Sequence, residues 1–130
     1  MADYIASLDP AVFVLDYDHN TPSDEHLENT HFPFYERFRA LRPNTPIVFV
    51  SAPDVPLHGK RRRTEIIRET YERAVALGDQ LVSFVDGTTL FGDDLREACT
   101  VDGCHPNDLG FFRMAKGIGA AVKTWLDRSI

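Results

Sequence analysis

Apolar runs alternate with helical patterns along the chain. Val12-Phe13-Val14-Leu15 and Ile47-Val48-Phe49-Val50 are continuously apolar, and Leu81-Val82-Ser83-Phe84-Val85 is nearly so. Runs this short, without in–out alternation, predict strands covered on both faces, as in a parallel sheet. Between them the apolar residues recur at helical spacing. The first helical segment opens at Thr21-Pro22-Ser23-Asp24. Thr21 suits a cap, Pro22 the first helical position, and Asp24 the positive end of the helix dipole. Leu27, His31, Phe34, Tyr35, Phe38 and Leu41 form its stripe, and Pro43 stops it. Pro33 lies inside and is expected to kink or split the helix. A second helix is expected from about Arg61 to Leu77, with Ile66, Ile67, Thr70, Tyr71, Ala74 and Val75 on one side and Gly78 as its C-cap. The third starts at Asn107, an N-cap candidate, and runs to about Asp127. Its stripe is Phe111, Met114, Ala115, Ile118, Val122, Trp125 and Leu126.

The order is an optional short leading helix, then β-α-β-α-β-α. That order predicts an α/β layer fold with right-handed crossovers. In doubly wound sheets the chemistry gathers beyond the carboxyl ends of the strands. Those ends carry Asp16 to Asn20, Ser51 to Asp54, and Asp86-Gly87. Pro53 to Lys60 is the longest irregular stretch, and no repeat or linker divides the chain. Residues 1–130 therefore read as one domain.

Charge and cysteine content narrow the function classes. Fourteen basic against twenty acidic residues leave a formal charge of −6. That sign argues against nucleic acid or anionic membranes as partners. No apolar run approaches the ~20 residues that span a bilayer. The start, Met1-Ala2-Asp3-Tyr4, has no basic stretch followed by an apolar one. Cys99 and Cys104 are too few for a disulfide framework, so a reducing cytoplasm is the expected compartment. Lys60-Arg61-Arg62-Arg63 reads as a solvated basic run at a helix start. Cys99, Asp102, Cys104 and His105 carry metal-capable atoms, but Cys-x4-Cys-His is not a zinc spacing, and no metal is expected. Gly117-Ile118-Gly119 falls inside a helix and does not read as a dinucleotide loop. Phe32, Phe34, Tyr35 and Phe38 read as core and groove wall. Of the other histidines, only His19, beside Asn20, falls near a candidate site.

Asp102-Gly103-Cys104-His105-Pro106 is the strongest candidate for chemistry. An Asp three residues before a His can bend back to the imidazole, fix its tautomer and stabilise the cation formed on proton uptake. The same residues could form a turn in which Asp102 caps backbone amides and His105 packs before a helix. Extended to Thr100 through Gly110, the segment resembles the last block of the SGNH (GDSL-type) hydrolases, lipase- and esterase-like enzymes with a flavodoxin-like sheet. Val12 to Asn20, ending Leu15-Asp16-Tyr17-Asp18-His19-Asn20, is similar to that family's third block, and Pro43 to Ile47 and Val85-Asp86-Gly87 also fit.

The resemblance implies a three-layer α/β/α fold, here truncated to about three strands and three or four helices. It implies acyl transfer on a small ester without a cofactor. His105 would be general base then acid, Asp102 its orienter and Asn20 an oxyanion donor. Without the resemblance, Asn20 reads as a cap or turn residue. The family's nucleophile is a Ser in a Gly-Asp-Ser-like block after the first strand, and a Gly from a second block joins its oxyanion hole. Neither block is found in this chain. Ser51 ends a strand, but not the corresponding one. The implied chain is a C-terminal part of such a hydrolase, weak or inactive alone. Its bared strand edge at Val12 to Leu15 is expected to pair in a homodimer.

Two rival readings stand beside it. Phe13 to Asp18 resembles the first motif of haloacid-dehalogenase-type phosphatases, with Asp16 as nucleophile, Asp18 as acid–base and Mg²⁺ on the phosphate. Ser51, Lys60 and Gly92-Asp93-Asp94 would supply the rest, but that reading leaves Asp102 and His105 unused. The other rival is a non-catalytic interaction domain.

Overall fold

Three parallel strands, β1 (Phe13–Leu15), β2 (Ile47–Val50) and β3 (Val82–Val85), form one open sheet in the order β1-β2-β3. Phe13 is level with Ile47, and Ile47 with Val82. The structure is a computed structural model, and it describes residues 1–53 and 61–128. Around the sheet lie α1 (Ala2–Ser7), α2 (Asp24–Leu41), α3 (Arg61–Ala76) and α4 (Asp108–Arg128). Because the sheet grows in one direction, right-handed crossovers put α2 and α3 on the same face. The core on that face joins Phe13, Leu15, Ile47, Phe49 and Val82 to Leu27, Tyr35 and Phe38 of α2 and Ile66, Ile67 and Ala74 of α3, with α1 adding Ala2 and Ala6. On the other face Val48 and Val50 meet Trp125, Met114, Ile118 and Val122 of α4. Both faces of β2 are thus covered, and all four of its side chains are buried. Each such side chain contributes about 1.5–3 kcal/mol. The expected three-layer α/β/α architecture is the one observed.

Local details depart from the sequence expectations in three places. Ser23, not Thr21, caps α2: its backbone is extended and its Oγ accepts the His26 N–H at 3.1 Å. The Thr21 hydroxyl instead donates to the Asp18 carbonyl at 2.8 Å, which closes the turn before the helix. Pro33 neither splits nor ends α2. It sits on the exposed face, one turn after Asn29, which is exposed as well. The carbonyl freed by the missing N–H therefore faces water, while Phe32, Tyr35 and Phe38 hold the helix to the core. Phe111 and Leu126, placed in the apolar stripe of α4, are 58% and 42% exposed. Adjacent Phe111 and Phe112 point away from the core together, which leaves an aromatic surface at the start of α4.

The described side chains of the basic run, Arg62 and Arg63, are both paired. Arg62 pairs with Glu28, Glu65 and Glu69. Arg63 pairs with Asp24 at 2.7 Å and donates to the carbonyls of Asp18 and Thr21, tying α3 to the turn after β1. Lys60 and most of the irregular stretch before α3 lie outside the described residues. Among the described residues, no helix is long and apolar enough to cross a membrane.

Candidate active site

The segment between β3 and α4 builds a small, closed loop. Val101 N–H donates to the His105 carbonyl at 3.0 Å, and Thr100 bridges Pro106 in antiparallel fashion. Inside that closure Gly103 adopts φ +84°, the left-handed region that a side chain disfavours, and its N–H meets the Thr100 hydroxyl at 2.9 Å. Asn107 fastens the loop to the helix that follows. Its side-chain amide donates to the Ala98 carbonyl at 2.8 Å, and its Oδ1 accepts the Gly110 N–H at 3.1 Å, so it caps α4. Gly110 is needed there because a Cβ would lie 2.2 Å from the Cys99 carbonyl oxygen.

Asp102 serves both readings offered by its sequence. One oxygen, Oδ1, accepts the N–H groups of Cys104 at 2.9 Å and His105 at 2.7 Å. The other, Oδ2, lies 2.6 Å from His105 Nδ1. The His105 backbone N–H, the imidazole and the Cys104 N–H hold the Asp102 carboxyl well below the usual carboxylate range. A carboxylate so fixed favours the tautomer with its proton on Nδ1 and leaves Nε2 as the ring atom that can exchange a proton. The imidazole itself is exposed.

Asn20 reaches the same place from the far end of the fold. It closes the short helical turn Asp18–Asn20 directly after β1. Ser23 has taken the capping role, and no described residue bonds the Asn20 side chain. Asn20 and His105 line one cleft of about 390 Å³, together with Asp16, His19, Tyr17 and Phe111. Larger hollows of about 700 and 610 Å³ lie at the amino ends of the strands, around residues 43–46 and 77–81, away from His105.

The turn beneath Asn20 is locked from below. Asp18 is buried, and its Oδ2 accepts the Ala52 N–H at 2.8 Å, which joins the ends of β1 and β2. Asp16 lines the cleft while Asp18 is inside, so the two carboxylates do not present a shared metal site as the phosphatase reading requires. Among the described residues, no three His, Cys, Asp or Glu side chains gather as a metal set. Ser51 is likewise structural. It is buried, and its Oγ accepts the Gly87 N–H at 2.8 Å where the β2 and β3 ends touch so closely that a Cβ on Gly87 would lie 2.0 Å from the Ser51 carbonyl oxygen. The other described serines are engaged elsewhere: Ser7 on the Tyr4 carbonyl, Ser23 at its cap and Ser83 with Trp125 Nε1. None of them lines the cleft.

A sequence profile of the GDSL-like Lipase/Acylhydrolase family matches residues 1–123. The chain belongs to that family. Among solved structures it resembles a Bacteroides ovatus protein described as a GDSL-like lipase, with a TM-score of 0.79 and 29% identity over 97% of this chain and 39% of that one. It also resembles the salicylyl-acyltransferase SsfX3 of a tetracycline biosynthetic pathway, with a TM-score of 0.70 and 21% identity over 94% of this chain and 40% of that one. The second likeness is one of fold. This GDSL-like chain thus spans about two fifths of the length of the structures it matches. No curated protein matches it.

The sequence reading passed over two cleft residues. Phe111 was assigned to the core, although two neighbouring phenylalanines on one helix cannot both face it. Asp16 lies at a strand end where chemistry was expected but received a role only in the phosphatase reading, and its place beside His105 and Asn20 depends on contacts between distant segments.

Proposed function

We propose that this chain carries the acid–base and oxyanion half of an acyl-transfer enzyme acting on small esters. The observation that carries the proposal is the single cleft lined by the Asp102-bound imidazole of His105 and the uncommitted carboxamide of Asn20. In this reading His105 Nε2 takes a proton from an attacking hydroxyl and returns it to the leaving alcohol. Asp102 holds the ring and stabilises the imidazolium formed between those steps. The Asn20 amide N–H donates to the oxygen that gains charge as the carbonyl becomes tetrahedral, a contribution of about 3 kcal/mol. The chemistry asks for no cofactor. Of the solved structures the chain resembles, one is described as a GDSL-like lipase and one as a salicylyl-acyltransferase. The two chemistries differ in whether water or another alcohol receives the acyl group. The attacking serine comes from a segment outside these 130 residues or from another chain.

Hydrolysis of p-nitrophenyl acetate tests this. The chain alone is expected to turn over close to the buffer rate. Addition of a synthetic peptide with an apolar strand ending in Gly-Asp-Ser is expected to raise the rate, and His105→Ala is expected to abolish the gain. A peptide-dependent rate that survives His105→Ala would overturn the assignment.

A second feature bears on the partner. Along the outer edge of β1 runs a groove of about 460 Å³ lined by Met1, Ile5, Phe13, Leu15, Tyr17 and Phe34. A strand edge left open beside such a surface is a pairing site. We propose that two chains cover it by pairing their β1 edges across a two-fold axis. Light scattering at micromolar concentration is expected to give the mass of two chains, and a one-chain mass would refute the pairing.

A further inference from the structure

Asp16 follows β1 directly and lines the cleft that holds Asn20 and His105. Within the described residues its carboxylate has no hydrogen-bond or ion-pair partner. Among the described side chains, the cations on the neighbouring elements are already committed. Arg63 is spent on Asp24 and the carbonyls of Asp18 and Thr21, and Arg62 on three glutamates. Arg68 pairs with Asp86, and Arg113 bonds the carbonyls of Phe91 and Asp94. The basic groups in the cleft lining are the two imidazoles, His19 and His105, and His105 is already bound to Asp102. The buried Asp18 adds a second carboxylate on the same side. Burial, then the Asp18 charge, push the Asp16 carboxyl up to about 6. The residue is nonetheless exposed, so its carboxylate is hydrated and largely ionised at neutral pH, and among the described residues no donor pairs with it.

A ligand that supplies an O–H to such a group takes the place of a water donor. A ligand with its own negative charge meets a like charge instead. We propose that Asp16 is a specificity-determining residue of the cleft: it accepts a hydrogen bond from a substrate hydroxyl near the scissile ester, which selects polyol-type esters and rejects esters bearing a carboxylate. The walls fit this division, since Tyr17, Phe111 and Met114 of the same lining offer the acyl portion an apolar surface. The identity of the ligand as an ester rests on the acyl-transfer reading above. The charge preference does not, and it can be read from binding without turnover.

The test titrates the full-length ¹⁵N-labelled chain at pH 7.5 with two probes of similar size, glycerol monoacetate and acetoxyacetate. Signals of the Asn20 side-chain amide and the His105 backbone amide report on the cleft. Glycerol monoacetate is expected to shift both, with acetoxyacetate binding at least about tenfold more weakly. Asp16→Asn, which keeps the shape and removes the charge, is expected to narrow that ratio to about threefold or less. Asp16→Ala is expected to weaken glycerol monoacetate about tenfold. The assignment is overturned if the Asp16→Asn ratio equals that of the wild type, or if neither probe moves the Asn20 and His105 signals. Should the charge preference follow Asp16 while hydrolysis proves independent of His105, the acyl-transfer reading falls and the specificity assignment stands.

Discussion

Alanine in place of Asp79 is expected to lower the unfolding free energy by about 3–5 kcal/mol, the cost of stranding one partner of a buried ion pair. Asp79 and Arg39 are 10% and 16% exposed at the side chain and meet at 2.7 Å. The carboxylate does more than neutralise the guanidinium. Its Oδ2 also accepts the Tyr35 hydroxyl at 2.8 Å, and its Oδ1 accepts the Leu81 N–H at 2.9 Å. Burial and the adjacent Asp79 push the Tyr35 hydroxyl up to about 12, so it stays a donor at any ordinary pH. Arg39 in turn donates to the carbonyls of Arg42, Thr45 and Leu81, at 2.9, 2.6 and 3.2 Å. One carboxylate thus anchors the guanidinium that ties the end of α2 to the approaches of β2 and β3. Removing it leaves three donors without their acceptor in a region from which water is largely excluded. Asp79→Asn keeps an acceptor for Leu81 and should cost less. Asp127→Ala, which breaks the exposed Lys123 pair, should change stability by under about 1 kcal/mol. Urea denaturation of the three variants reads the ranking. An Asp79→Ala loss no larger than that of Asp127→Ala would show that the network carries no net stability.

That network also shows where sequence reading ends. β2 was located to the residue because a strand buried on both faces leaves an unbroken apolar run. The Asp102–His105 contact was readable because a three-residue separation keeps it local. Arg39 and Asp79 are forty positions apart, and nothing in either segment announces the other. The convergence of Asn20 with His105 is of the same kind. Each was picked out by its own neighbours and by family resemblance, but the shared cleft exists only because β1 and the loop before α4 end on one side of the sheet. That Pro33 does not split α2 has a related reason. The cost of a proline in a helix depends on where the freed carbonyl points, and that is set by tertiary packing.

Acidification is expected to weaken the fold through His31. This residue is 1% exposed and lies on the buried side of α2, with its ring near Tyr17 and Phe49 at centroid distances of 5.6 and 5.7 Å. Thr70 Oγ1 sits 2.9 Å from Nδ1, and the Thr70 hydroxyl is also directed at the Ile66 carbonyl at 3.3 Å. Thr70 thus satisfies Nδ1, as donor or as acceptor. Nε2 is buried with no partner among the described residues. A second proton would create a cation there with nothing to receive it, and burial lowers the His31 pKa to about 4 from 6.5. The unfolded chain binds this proton near pH 6.5 while the folded chain refuses it until about 4. The stabilising effect is therefore whole above pH 6.5 and is lost as the pH falls toward 4, a change of about 3 kcal/mol. Asp16 works in the opposite sense. Its folded pKa is raised, so it favours the folded state more as the pH falls through about 6, and it partly masks the loss in the wild type. The clean quantity is consequently a difference between proteins. Between pH 7 and pH 4.5 the wild type is expected to lose about 2–3 kcal/mol more stability than His31→Gln, which keeps a donor for Thr70 and cannot titrate. Urea midpoints measured at both pH values for both proteins give that difference, and parallel losses would remove His31 as the acid-sensitive group of the core.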